Sequence, residues 1–143
     1  MNDPFDLKRF VDAQAPVYQR VVAELSRGRK QSHWMWFIFP QLAGLGFSEM
    51  AQRYAITSRD EAIAYLKHDI LRPRLLECTA LVNAVEGKTI REILGSPDDL
   101  KFRSSMTLFA AVSSDPAFPA AIAKYHGGVA DRRTLELLGG WQA

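Results

Sequence analysis

Apolar residues in this chain recur every three or four positions, in short stretches cut apart by proline, glycine and capping residues, and almost never at every second position. That period is the mark of helices with one buried face, and the missing alternation argues against strands. The chain therefore reads as all-α, a single compact multi-helix domain spanning residues 1–143. No repeat, low-complexity tract or linker marks a second unit.

The punctuation predicts where the helices lie. Pro4 suits a first turn, followed by Phe5, Leu7, Phe10 and Val11, until Pro16 removes a backbone donor and breaks or kinks the helix. Val17, Val21, Val22 and Leu25 mark the next face, closed by Gly28. Pro40 ends any helix in the preceding segment at about Phe39. Ser48 is placed to cap a short helix carrying Met50, Ala51 and Tyr54. Ser58 with Glu61, and Thr89 with Glu92, have the spacing of capping boxes. Between them a longer helix is expected from about Asp69 to Val85, with Pro73 tolerated only near its first turn. Ser96-Pro97 starts another helix, with Leu100, Met106, Leu108 and Phe109 expected inward. Asp115-Pro116 opens a further one, and Asp131 caps the last, which carries Leu135, Leu137 and Leu138.

Composition narrows the function classes. With 18 Lys and Arg against 16 Asp and Glu, the formal charge is +2, too even to announce a nucleic-acid or membrane partner. The longest apolar run, Trp34 to Phe39, is far too short to span a bilayer. Cys78 is the single cysteine, so no disulfide closes within one chain. The opening residues lack the charged and apolar regions of a signal peptide, and a cytoplasmic protein is expected. His33, His68 and His126 are far apart in sequence, so spacing supports no metal site. No cofactor motif is present; the phosphate loop, nucleophile elbow and zinc-protease helix are all missing.

Two segments carry chemistry. Lys30 to Gln41, KQSHWMWFIFPQ, places two tryptophans, two phenylalanines, a histidine and a proline in twelve positions. If it is helical, Lys30, His33, Trp34 and Phe37 fall near one face, where charge, imidazole and indole would suit a planar or anionic ligand. Equally, the aromatic side chains read as core. The second segment, KFRSSMT from Lys101 to Thr107, projects Lys101, Ser104 and Ser105 within one turn, a set suited to phosphate or carboxylate. The plainer reading is small residues that let helices approach, with hydroxyls bonded to the preceding turn. Gly44 and Gly46 would let a loop backbone approach closely.

The first segment, with Gly44-Leu45-Gly46 and Ser48, resembles the signature of domain-of-unknown-function family 1810. Asp99 to Phe109 resembles that family's second block and Asp131 to Leu135 its third, so the likeness covers nearly the whole chain. It implies a compact helical fold of bacterial type and says little about activity. Some relatives carry the label calpastatin, but a calpain inhibitor of that kind is a long disordered chain, whereas this composition and these caps belong to a packed domain. The resulting expectation is a pocket between the two segments, lined by Lys30, His33, Trp34, Trp36, Gln41, Lys101, Ser104, Ser105 and Thr107. It would take a small anionic or nucleotide-like molecule, with catalysis left open. The alternative is a protein-interaction module without catalysis, anchored by Trp34, Trp36 and Trp141.

Overall fold

A computed structural model, which describes residues 2–139, resolves the chain into helices with no strand among the described residues. In order they are α1 (Lys8–Gln14), α2 (Tyr18–Ser26), α3 (Met35–Ile38), α4 (Glu49–Arg53), α5 (Arg59–Lys67), α6 (Leu71–Ala84), α7 (Ile90–Leu94), α8 (Asp98–Val112), α9 (Ala117–Tyr125) and α10 (Arg132–Gly139). The two long helices organise the rest. α6 packs on α2, α3, α5 and α9, while α8 packs on α5, α7, α9 and α10. Every residue of α8 from Ser104 to Phe109 is buried.

The core is one aromatic-rich cluster. Phe10 meets Tyr65 edge-on at 5.1 Å, Phe39 meets Phe102 at 5.0 Å, and Tyr65 leans on Phe109 at 5.4 Å. Edge-on and tilted contacts of this kind favour the ring quadrupole as well as burying area.

Most of the punctuation falls where it was expected. Ser48 accepts from the Ala51 N–H, and Thr89 with Glu92 forms the full reciprocal capping box. Pro73 lies in the first turn of α6, and Pro40 follows the short α3. Other expectations fail for identifiable reasons. Pro4 precedes α1 instead of lying in it, and Asp3 upstream caps the helix by accepting from the N–H groups of Leu7 and Lys8. Ser58 accepts from the Glu61 N–H, yet the Glu61 carboxylate turns to the Thr57 N–H and hydroxyl and to Arg9. Leu100, expected inside, is 57% exposed. Leu100 shares the i, i+4, i+7 face of α8 with Ser104 and Thr107, and that face looks toward the Val129–Thr134 segment and not into the core.

Lys30 to Phe39 is not a helix. Only Met35–Ile38 forms one, and the residues before it run as an irregular stretch pinned by a buried carboxylate. Glu24, on α2, accepts from the Gln31 N–H at 2.8 Å, the Ser32 N–H at 3.1 Å, the Ser32 hydroxyl at 2.6 Å and the Trp34 indole N–H at 2.9 Å. Burial pushes this carboxyl up, but these donors outweigh it and hold it down at about 2.

Candidate functional site

The two chemistry-bearing segments do meet, directly and through a residue that belongs to neither. Asp98, in the first turn of α8, receives the Lys30 ammonium at 3.0 Å and the Lys101 ammonium at 3.7 Å. Each lysine also lies over an indole, Lys30 at 5.1 Å from the Trp34 ring centre and Lys101 at 5.8 Å from that of Trp36. The order Trp34, Lys30, Asp98, Lys101, Trp36 is therefore one connected cluster. Two ammonium groups share one carboxylate in it, and the Lys30 side chain is only 8% exposed. Cation–π contact and the shared counterion are what make burying that ammonium tolerable.

On the solvent side of Lys101 lies an open groove of about 430 Å³. Its walls are Gln41, Leu45 and Gly46 from the glycine loop, Leu100, Lys101, Arg103 and Ser104 from α8, and Asp131 and Arg133 around the start of α10. A narrow slot of about 10 Å³, room for one water, continues from it between Trp36 and Gly46.

Local structure sets each wall. Paired backbone bonds of 2.8 Å, Ile56 N–H to the Gln41 carbonyl and Ala43 N–H to the Ile56 carbonyl, fasten the start of the loop. Gly46 is required because a Cβ there would stand 2.7 Å from the Ala51 Cβ, and Gly44 adopts a φ of +97°. The opposite wall is held by Arg103, whose guanidinium donates to the Val129 carbonyl at 2.7 Å and the Ala130 carbonyl at 3.1 Å. The Thr107 hydroxyl accepts from the Asp131 N–H at 2.8 Å and donates to the Arg103 carbonyl. Asp131 caps α10, its Oδ2 taking the Thr134 N–H at 3.0 Å and hydroxyl at 2.5 Å. Arg133 makes no ion pair among the described residues.

Of the nine residues expected to line a pocket, Gln41, Lys101 and Ser104 line the groove, and Trp36 stands behind Lys101. Lys30 is sequestered on Asp98. Trp34 is buried and bonded to Glu24, so its face is not available for stacking; both indoles carry lysines instead. His33 is exposed and lines neither groove nor slot, because the helical spacing that would have aligned it is absent. Ser105 points inward, fully buried, with an unpartnered hydroxyl. Thr107 positions Asp131 from beneath. Trp141 lies outside the described residues.

Asp98, Arg103, Asp131 as a groove wall, and Arg133 were not singled out as ligand-facing. Asp98 had a local signal, three residues before Lys101 on one helix; the others required the α8–α10 packing to be known. Cys78 offers no nucleophile, since burial pushes its thiol up to about 12. Among the described residues no helix is long and apolar enough to cross a membrane, and no group of three or more His, Cys, Asp or Glu is placed to hold a metal ion.

Comparison with known proteins agrees with the fold. Residues 4–138 match the family described as Protein of unknown function (DUF1810). A conserved hypothetical protein from Mycobacterium tuberculosis, known from a crystal structure, is 64% identical to this chain. The likeness has a TM-score of 0.95 and covers 96% of this chain and 99% of that one. No curated protein matches.

Proposed function

The chain belongs to the DUF1810 family, whose description assigns no activity, and we propose that it is a small-molecule-binding protein whose groove takes an anionic, nucleotide-like ligand. The observation that carries this reading is the excess of positive charge. Lys101 competes with Lys30 for a single carboxylate, and Arg133 stands on the same groove with no acidic partner among the described residues. An anion bridging Lys101 and Arg133 would satisfy both. Leu45 and Leu100 supply apolar walls for a flat group, the Gln41 amide supplies a polar contact, and the Ser104 hydroxyl, which donates to the Leu100 carbonyl at 3.2 Å, keeps acceptor capacity. Of the residues named from the sequence, Lys101, Gln41 and Ser104 line this groove, and Lys30 and Trp34 stand behind it through Asp98. The reading is binding, with catalysis unassigned.

A thermal-shift screen against nucleotides, sugar phosphates and small organic acids tests it. A ligand at about 100 times its dissociation constant adds roughly 2.7 kcal/mol and raises the melting temperature by several degrees. Lys101→Ala should weaken a true hit roughly 10- to 100-fold, the cost of one charge-assisted hydrogen bond. His33→Ala should leave it unchanged. A flat screen, or a hit indifferent to Lys101, refutes the proposal.

The interaction-module reading has its own support. Phe47, on the glycine loop, is 81% exposed, and Leu100 stands out across the groove. Large exposed apolar groups of this kind are found at protein contact sites. A flat ligand screen combined with concentration-dependent association lost in Phe47→Ser would establish it.

A further inference from the structure

The groove is not a plain anion site, because Asp131 stands in it beside the cations. A carboxylate there repels a simple anion, so its presence has to be matched by something else on the ligand. Thr134 engages Asp131 Oδ2 with two donors. Oδ1 has no hydrogen-bond partner among the described residues and is not closed off from solvent. An ionised carboxylate offers about four lone-pair sites, so the acceptors at Oδ1 remain for hydroxyl or ammonium donors of a ligand.

Charge decides between those donors. The groove walls carry Lys101, Arg103 and Arg133 against Asp131, three cations against one carboxylate, and Lys30 with Asp98 behind them adds one of each. A zwitterion such as an amino acid would leave the balance of two positive charges uncorrected. A phosphate monoester carries nearly two negative charges at neutral pH and corrects it. The donor at Asp131 then has to be neutral, and two adjacent hydroxyls on a sugar are the neutral group that fills the lone pairs of one carboxylate oxygen. Resting on the anionic-ligand reading above, we propose that Asp131 is a specificity-determining residue that reads the vicinal diol of a 5′-phosphorylated ribose. Lys101 and Arg133 hold the phosphate, and Leu45 and Leu100 flank whatever the ribose carries at C1′.

The design of the cap makes the idea separable from folding. Asn and Ser cap helices about as well as Asp, so Asp131→Asn keeps an oxygen for Thr134 but turns a donor toward the groove, and Asp131→Ser is too short to reach a ligand. Calorimetric titration of the whole chain would use the four ribonucleoside 5′-monophosphates, their 2′-deoxy counterparts, ribose 5-phosphate and inorganic phosphate. The proposal expects at least one ribonucleotide, or ribose 5-phosphate, to bind tenfold or more tightly than its 2′-deoxy form or inorganic phosphate. It also expects Asp131→Asn and Asp131→Ser to erase that preference with melting temperatures near the parent's. Equal binding of ribo and deoxy forms overturns the diol assignment while the anionic-ligand reading stands. A preference that survives in both Asp131 variants overturns it too. Failure of every probe, against a well-folded protein, removes both readings together.

Discussion

Glu24→Gln isolates one charge at the base of the site. Three donors, the N–H groups of Gln31 and Ser32 and the Trp34 indole, converge on Glu24 Oε1, while the Ser32 hydroxyl meets Oε2. A glutamine can keep its oxygen where Oε1 stands and place its amide nitrogen against a rotated Ser32 hydroxyl, so shape and most bonds survive and the negative charge does not. The worth of that charge follows from titration. The carboxyl titrates at 4.5 ordinarily and at about 2 in the folded protein. At about 1.4 kcal/mol for each tenfold change in proton affinity, ionisation of Glu24 contributes up to roughly 3 kcal/mol. Above pH 4.5 both folded and unfolded chains are ionised and the whole contribution is present. As pH falls below 4.5 the unfolded chain takes up the proton first, so the contribution shrinks and is nearly gone at about 2. Urea denaturation followed by tryptophan fluorescence, run on parent and variant across this range, reads the difference directly. The parent should be more stable by roughly 2–3 kcal/mol at neutral pH, with the gap closing to less than about 0.5 kcal/mol near pH 2. Subtracting the variant removes the other carboxyls, which titrate alike in both. A gap that stays constant with pH, or one absent at neutral pH, refutes the account of how the Lys30–Trp34 segment is held.

Asp98→Asn should destabilise by about 2–4 kcal/mol, because Lys30 then keeps its buried charge without a counterion; chemical denaturation reads it, and a loss under about 0.5 kcal/mol would contradict the shared-carboxylate cluster. Gly46→Ala puts a methyl group 2.7 Å from the Ala51 Cβ, neither end being a flexible tip, and should cost about 1–3 kcal/mol in the same assay as the loop or α4 gives way. Ser105→Ala removes a buried hydroxyl that has no partner among the described residues and should be neutral or raise the melting temperature slightly; a clear fall would reveal a partner the hydroxyl does have.

How much of this was legible in the sequence depends on the range of the interaction. Helices and their ends follow from contacts three and four residues apart, and the capping at Ser48, Thr89 and Asp131 could be read directly because donor and acceptor lie within one turn. The glycine loop was legible as a loop from its two glycines, while the close approach of Gly46 to Ala51 that demands one of them was not. The importance of the KQSHWMWFIFPQ segment was also legible, from its unusual residue density, although its geometry was not.

What only the tertiary structure decided are the long-range partners. Glu24 unwinds the segment that its residues alone would allow to be helical, and it does so from another helix with four hydrogen bonds that local propensity cannot anticipate. His33 and Trp34, expected side by side on one face, part as a result, one exposed and one buried. Leu100 looked like core because period alone does not say which face of a helix the rest of the chain covers. Asp131 was legible as a cap from residues near it, but as a groove wall only after α10 docked on α8. The sequence by itself determined the class of fold and the places where the helix ends lie, since those depend on energies within a turn. The site depended on which helices met, and that is set by the packing of the whole core.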